Sequence, residues 1–142
     1  MIALTRLLIL SLFVGSFLPT FAQSPRQPDP DKTISRIALG SCSHQNKKQP
    51  ILLKAVKSKP DLFIYLGDNI YGDTRNMDKL KAKYDKLAAK KEFQKLCEAM
   101  PILATWDDHD YGENDAGREY PFKAESKEIF LDFWNEPENS ER

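Results

Sequence analysis

The stretch that decides the fold is Leu62-Phe63-Ile64-Tyr65-Leu66-Gly67-Asp68. Its first five residues form a continuous apolar run, which is typical of a strand buried on both faces in a parallel sheet. Gly67 ends the run, and Asp68 places a carboxylate directly after it. The segment therefore predicts a parallel strand with a polar group at its carboxyl end.

Two more short strands are predicted on either side of this one. Residues 34–39 and 102–106 are the candidates. Apolar residues at helical spacing lie between and after the strands: a helix that opens at Pro50, helical stretches within residues 77–100, and a last helix that starts at Pro121. The order βαβααβα predicts an α/β sheet with right-handed crossovers.

Polar residues follow each predicted strand. They are Ser41-Cys42-Ser43 after the first strand, Asp68 after the second, and Asp107-Asp108-His109 after the third. Ligands of open α/β sheets bind at the carboxyl ends of the strands, where loops are free to carry functional groups. We therefore expect these three segments to converge at one edge of the sheet.

The first 22 residues predict a cleaved signal peptide. Arg6 gives a positive start, residues 7–17 form a short apolar core, and Thr20-Phe21-Ala22 offers small side chains for cleavage after Ala22. A membrane anchor is the alternative, but a spanning helix needs roughly 20 apolar residues. We expect a secreted or periplasmic protein with no stable membrane span after cleavage.

The remaining chain has the size of one domain. Residues 23–33 hold three prolines among polar neighbours, which predicts an extended linker, and the domain covers residues 34–142. The 21 Lys and Arg residues of the whole chain balance its 21 Asp and Glu residues. Because no basic run supplies the charge that a phosphate backbone requires, the composition argues against a nucleic-acid partner.

Two cysteines in an exported chain raise the question of a disulfide. Cys97, however, recurs with Phe93, Leu96 and Met100 at helical spacing, where a free cysteine acts as a small core hydrophobe. Cys42 lies among small polar residues just past a strand. We expect two free thiols, with the disulfide as the alternative.

The polar residues at this edge have the chemistry of metal ligands. The Asp68 carboxylate can bridge two cations, and Tyr71 supplies a hard phenolate that suits a trivalent metal such as iron. The stretch from Trp106 to Asp110 places three carboxylates around His109, and a cation would relieve their repulsion. A turn-capping Asp68 and a solvated acidic loop are the alternatives.

Together these residues form the pattern of a two-metal hydrolase. Asp68 would bridge the cations, and Cys42 and Tyr71 would hold one of them. Asp108 would hold the other, with His109 as the catalytic group that donates to a phosphate oxygen or leaving group. Two cations about 3.5–4 Å apart can activate a water and bind the entering and leaving oxygens of a phosphoryl transfer.

The motifs resemble those of the alkaline phosphatase D family of the calcineurin-like metallophosphatases. The matching stretches are ALGSCSH at residues 38–44, PDLFIYLGDNIYGD at 60–73 and ATWDDHDYG at 104–112. The resemblance covers residues 34–134. It implies a four-layer αββα sandwich, of which this chain holds the first half, and hydrolysis of phosphomonoesters or phosphodiesters outside the cytoplasm.

The resemblance also implies a set of ligands and metals. It assigns Cys42 and Tyr71 to Fe3+, Asp68 to the bridge, Asp108 to the second site, and His109 to a place beside the phosphate. The second metal is implied to be Ca2+, with other divalent metals left open. Asp107 can exchange roles with Asp108, because the sequence does not distinguish the two.

A last expectation concerns the completeness of the site. The family adds a further Asp and His motif from the second half of the fold, and neither residue type follows Trp134 here. The histidines of the chain are His44 and His109. We expect either a longer gene product or a truncated protein, so a non-catalytic fragment with partial metal-binding motifs is the alternative to an enzyme.

Overall fold

The computed structural model describes residues 24–140 of the chain. The predicted signal peptide, residues 1–22, lies outside the described residues. The elements in chain order are β1 (Ile37–Gly40), α1 (Pro50–Lys57), β2 (Leu62–Leu66), α2 (Met77–Ala88), α3 (Lys91–Ala99), β3 (Ile102–Thr105), α4 (Asp108–Tyr111) and α5 (Lys123–Phe133).

The three strands form one parallel sheet in the order β1-β2-β3. Ile37 pairs with Leu62 where β1 and β2 begin, and Leu66 pairs with Thr105 where β2 and β3 end. Helix α1 connects the first two strands, and α2 and α3 connect the second and third, as parallel pairing requires. The predicted α/β class with a parallel sheet is therefore confirmed, and the carboxyl ends of the strands meet at one edge.

The helices pack against one face of the sheet. Phe63, Tyr65 and Ile102 lie on this face and belong to the same buried core as the apolar residues of α1, α2, α3 and α5. The ring centroid of Tyr65 is 5.1 Å from that of Trp134 and 6.3 Å from that of Phe93. Full burial of one large apolar side chain contributes roughly 1.5–3 kcal/mol, so these aromatic residues carry much of the packing energy.

The opposite face of the sheet is apolar but open. Ile37 is 51% exposed, Leu39 is 61% exposed and Leu66 is 48% exposed. Alternate side chains of a strand point to opposite faces, so these residues share the face away from the helices. The prediction that the central strand is buried on both faces is therefore wrong at its carboxyl end, because no described element covers Leu66.

Helix boundaries follow from local chemistry. Helix α1 starts at Pro50 as predicted, since proline needs no N–H partner in the first turn. Helix α2 starts after Asn76, whose side chain accepts a hydrogen bond from Lys79 N at 2.9 Å. Helix α5 starts at Lys123 rather than at Pro121. The short helix α4 was not predicted and lies where the sequence indicated a loop.

Part of the proline-rich segment lies against the domain. Pro25 is buried, and the Arg26 carbonyl accepts a hydrogen bond from Ile102 N at 3.0 Å. Gln27 Nε2 donates to the carbonyl of Trp134 at 3.3 Å. These contacts dock the beginning of the described chain beside β3. Among residues 24–140, none of the helices is long and apolar enough to cross a membrane.

Candidate metal centre

The loops that follow the three strands are joined by backbone hydrogen bonds. Cys42 N donates to the Gly67 carbonyl at 3.2 Å and Ser43 N donates to the Asp68 carbonyl at 2.7 Å. Gly72 N donates to the His109 carbonyl at 2.8 Å. The second loop therefore lies between the first and the third, and the three segments converge at the carboxyl edge as predicted.

Several residues of this edge have a left-handed backbone. The φ angles are 56° at Cys42, 53° at Asp68 and 42° at Asp73. Non-glycine residues in this region are strained, and such strain concentrates at functional sites. Gly67 has a φ of 94°, and a Cβ there would lie 2.7 Å from the Cβ of Asp107. Glycine at 67 thus permits the second and third loops to approach closely.

One group of candidate ligands consists of Asp68, Asp108 and His109. One ligand atom of each residue lies within 4.8 Å of those of the other two. Asp68 Oδ1 is buried and has no hydrogen-bond partner in the described structure. A buried carboxylate oxygen without a partner is costly, and a cation would satisfy it. The two carboxylates suit a divalent metal, so Asp68 and Asp108 fit such an ion, and His109 lies beside it.

A second group of candidate ligands adjoins the same carboxylate. The Cys42 thiol donates to Asp68 Oδ2 with a sulfur to oxygen distance of 3.6 Å. Burial, and then the neighbouring Cys42 and Asp68, raise the pKa of Tyr71 to about 12. A cation would oppose this effect by stabilising the phenolate. A thiolate and a phenolate beside a shared carboxylate fit a metal such as iron.

His109 is oriented by Asp73, a residue to which the sequence assigned no role. His109 Nδ1 lies 2.7 Å from Asp73 Oδ1, which also accepts a hydrogen bond from Asn114 N at 3.1 Å. Burial lowers the pKa of His109, but the hydrogen bond and charge of Asp73, together with other nearby carboxylates, outweigh it and raise the pKa. The partners lie 36 positions apart in the sequence, so no local spacing pattern marks them.

The three carboxylates of the third loop have different partners. Asp108 alone belongs to the ligand group with Asp68 and His109. Asp107 caps α4, because its Oδ1 accepts from Asp108 N at 2.9 Å. Asp110 is fully buried. Asp107 and Asp110 thus accept hydrogen bonds from backbone groups, whereas Asp108 groups with Asp68 and His109.

His44 also reaches the centre, although the sequence gave no reason to assign it a role. Its ring stacks on that of Tyr71, with centroids 4.6 Å apart and an angle of 17° between the planes. The ring of His109 lies 4.3 Å from that of Tyr71. The phenol of Tyr71 is thus in contact with both histidines of the chain.

Two cavities lie near the sheet. A cavity of about 240 Å³ adjoins Cys42 and Tyr71 and is also lined by Lys47 and Lys48. A cavity of about 300 Å³ is lined mainly by apolar residues beside β3, including Trp106 and Phe130, and contains none of the candidate ligands. The first cavity therefore adjoins two of the candidate ligands, whereas Asp68, Asp108 and His109 are not among its lining residues.

Comparisons with known proteins do not assign the chain to a family, since no family model, no curated protein and no solved structure matches it. What the chain shows is a mixed α/β domain with a candidate metal centre at the carboxyl edge of its parallel sheet.

Proposed function

We propose that this chain carries the first half of a two-metal phosphoester hydrolase site of the alkaline phosphatase D type. The observation that supports the proposal is the place of Asp68. Its carboxylate contacts the thiol of Cys42 and groups with Asp108 and His109. A carboxylate shared by two sets of donors is the arrangement that a bridging ligand requires.

The two sets of donors differ in chemistry. Cys42 and Tyr71 supply a thiolate and a phenolate, which suit Fe3+, whereas Asp108 supplies a hard carboxylate oxygen that suits Ca2+ or another divalent cation. When bound, the two cations would activate a water and neutralise charge on the phosphoryl oxygens. The proposed substrate is a phosphate ester, either a monoester or a diester.

The protein's own contribution to the reaction centres on His109. Asp73 holds the ring through Nδ1, which fixes the orientation of the imidazole and leaves Nε2 to donate a proton to a phosphate oxygen or leaving group. Cys42, Asp68, Tyr71 and Asp108 keep the cations in place.

The open face of the sheet supports the four-layer αββα sandwich. Exposed Ile37, Leu39 and Leu66 give this face an apolar surface, and burying such surface contributes about 25 cal/mol per Å². A second sheet would pack on it at a distance of about 10 Å. The predicted signal peptide supports the further proposal that the enzyme acts outside the cytoplasm.

Two substitutions in the full-length protein test the proposal. Asp68→Asn is expected to remove metal and turnover together, because the bridging charge is lost from both sites. His109→Asn is expected to retain metal and to lose about 10²–10⁴-fold in turnover, as is typical for the loss of proton transfer. Metal analysis and phosphatase assays of both variants give the contrast. Normal metal content and turnover in Asp68→Asn would make Asp68 a turn residue and refute the two-metal site.

A non-catalytic metal-binding fragment is the second candidate. The whole chain contains two histidines, His44 and His109. It therefore supplies few imidazole ligands for a two-metal site, which favours the fragment. The two candidates differ in a simple assay of the chain itself. Binding of metal without hydrolysis of nitrophenyl phosphomonoesters or diesters would support the fragment, whereas hydrolysis that disappears on chelation would support the enzyme.

A further inference from the structure

The loop formed by residues 68–71, which we call the Asp68 loop, carries the proposed bridging ligand at one end and Tyr71 at the other. It lies outside every helix and strand. Asp68 is also held in a left-handed conformation, with a φ of 53°. A strained, irregular segment keeps one conformation only when its surroundings determine it. The contacts that hold this loop therefore decide where the ligands lie.

Asp110 holds the middle of the Asp68 loop. Its side chain is fully buried, and its Oδ1 accepts hydrogen bonds from Asn69 N at 2.9 Å and from Ile70 N at 3.1 Å. Its Oδ2 accepts from Asp107 N at 3.0 Å. A single carboxylate thus connects the backbone of the second loop to the residue that caps α4 in the third.

Gln45 holds the other end of the Asp68 loop from the first loop. The residue is 1% exposed. Its Oε1 accepts a hydrogen bond from Tyr71 N at 2.9 Å, and its Nε2 donates to the Tyr71 carbonyl at 3.1 Å. One amide side chain therefore satisfies both backbone groups of Tyr71. Lys83 Nζ also donates to this carbonyl at 3.1 Å.

We propose that Asp110 and Gln45 are positioning residues of the metal centre, Asp110 for the Asp68 ligand and Gln45 for the Tyr71 ligand. The identity of the ligands rests on the proposed function, whereas the hydrogen bonds of Asp110 and Gln45 are observed independently of it. Each side chain reaches from a neighbouring loop to backbone groups of the Asp68 loop, so the loop is already ordered before a cation arrives. Such outer contacts typically change metal affinity or activity by about 10–100-fold.

A role in general stability alone would not require these residue types. Burial of a carboxylate has a large desolvation cost, and an apolar side chain of similar volume often stabilises a fold equally well. Asp110 instead fixes the positions of two loops relative to each other through its three backbone hydrogen bonds. The proposal therefore predicts local effects of substitution on the Asp68 loop and separable effects on the two ligands.

The test compares Asp110→Asn, Gln45→Leu and a control, Leu96→Ala, in the full-length protein. An asparagine cannot accept at both oxygen positions, and leucine has no hydrogen-bonding group. Leu96 is fully buried in α3, which packs on α1, so its truncation weakens the core without removing a hydrogen bond of the Asp68 loop. The readouts are amide hydrogen exchange in the metal-free protein, iron content and Ca2+ affinity.

We expect the Asn69 and Ile70 amides to exchange at least tenfold faster in Asp110→Asn. In Gln45→Leu we expect the same increase for the Tyr71 amide alone. Asp110→Asn should lower both iron content and Ca2+ affinity by about 10–100-fold, because the bridging ligand is displaced. Gln45→Leu should lower iron content alone. The Leu96→Ala control should change exchange throughout the core and leave both metals bound.

Unchanged protection of Asn69 and Ile70 in Asp110→Asn, or a wild-type metal content in both loop variants, would overturn the proposal. The outcome is separable from that of the proposed function. A wild-type protein that binds neither cation would refute the hydrolase site, and the exchange rates of the three amides would still show whether Asp110 and Gln45 hold the loop.

Discussion

The hydrogen bond between Asp73 and His109 determines which imidazole nitrogen is available for chemistry. With Nδ1 held at 2.7 Å from the carboxylate, the ring has one orientation and one free nitrogen. The same carboxylate oxygen accepts from Asn114 N, which fixes Asp73 in turn. Within the proposed site, this pair of contacts favours a role of Asp73 in orienting His109.

Asp73→Asn is expected to reduce turnover by about 10–100-fold while metal content stays at the wild-type value, since an amide gives a weaker partner for His109 than a carboxylate. Asp85→Asn is the matched control, because Asp85 is an exposed carboxylate on α2 that pairs with Lys81 at 3.0 Å. Turnover and metal analysis are the measurements. A loss of metal from Asp73→Asn would instead make Asp73 a ligand.

The two cysteines should differ in reactivity. Cys42 is exposed beside Asp68, whereas Cys97 is buried in the core. A thiolate that binds a cation is protected from alkylation, so chelation of the full-length protein should expose Cys42 to iodoacetamide and leave Cys97 unmodified. Mass mapping with and without chelator gives the result. Equal labelling of Cys42 in both samples, or a disulfide between the two residues, would contradict the ligand assignment.

The thiol of Cys97 in α3 makes the stability of the fold depend on pH in the alkaline range. Burial raises the pKa of Cys97 to about 12 from its ordinary value of 9. Between these pH values the unfolded chain loses the thiol proton while the folded chain keeps it, so the free energy of unfolding falls as pH rises.

At pH 10 the loss from this thiol should amount to about 1.4 kcal/mol relative to pH 8. Urea unfolding of the wild type and of Cys97→Ala at the two pH values measures it, with each protein compared to itself. The variant should lose less stability than the wild type over this interval. Equal losses would show that Cys97 ionises normally in the folded chain.

The elements that the sequence predicted well are those determined by local patterns. The apolar run Leu62–Leu66 and the proline at Pro50 specify β2 and the start of α1 without reference to the rest of the chain. Helix α4 has four residues, which is too short for an apolar period to appear in the sequence. It is stabilised by the reciprocal capping of Asp107 and Asp110. The apolar run of β2 does not distinguish a strand that is covered on one face from a strand that is covered on both faces.

The positions of the candidate ligands could be predicted from the sequence, whereas the residues that hold their loops could not. Cys42, Asp68 and Asp108 follow directly after strands, and the topology brings them together. Asp110 and Gln45 act through backbone groups that any residue type can supply, so no pattern in the sequence marks them. Their roles depend on distances between loops, which only the folded chain provides.

For the whole molecule, the open sheet face provides a test of the proposed sandwich. Leu39→Lys is expected to change the free energy of unfolding of the present chain by no more than about 0.5 kcal/mol, as is usual for an exposed site. In a chain that also carries the second half, the same lysine would be buried and should cost more than about 3 kcal/mol.

Leu52→Lys is the control, because Leu52 is 4% exposed on the helical side and its substitution should destabilise both chains. Denaturant unfolding of the four variants is the measurement. If Leu39→Lys leaves the longer chain as stable as its parent, no second sheet covers this face and the four-layer proposal fails.

Under the proposed function, the left-handed backbone at Cys42, Asp68 and Asp73 places stability in conflict with activity. A left-handed conformation costs a non-glycine residue roughly 1–2 kcal/mol, with aspartate at the lower end. Glycine at these positions would relieve the strain and remove a ligand or the partner of His109. If the proposed metal centre is correct, selection for thermal stability alone would favour glycine at these positions, and the gain in stability would be accompanied by a loss of metal binding.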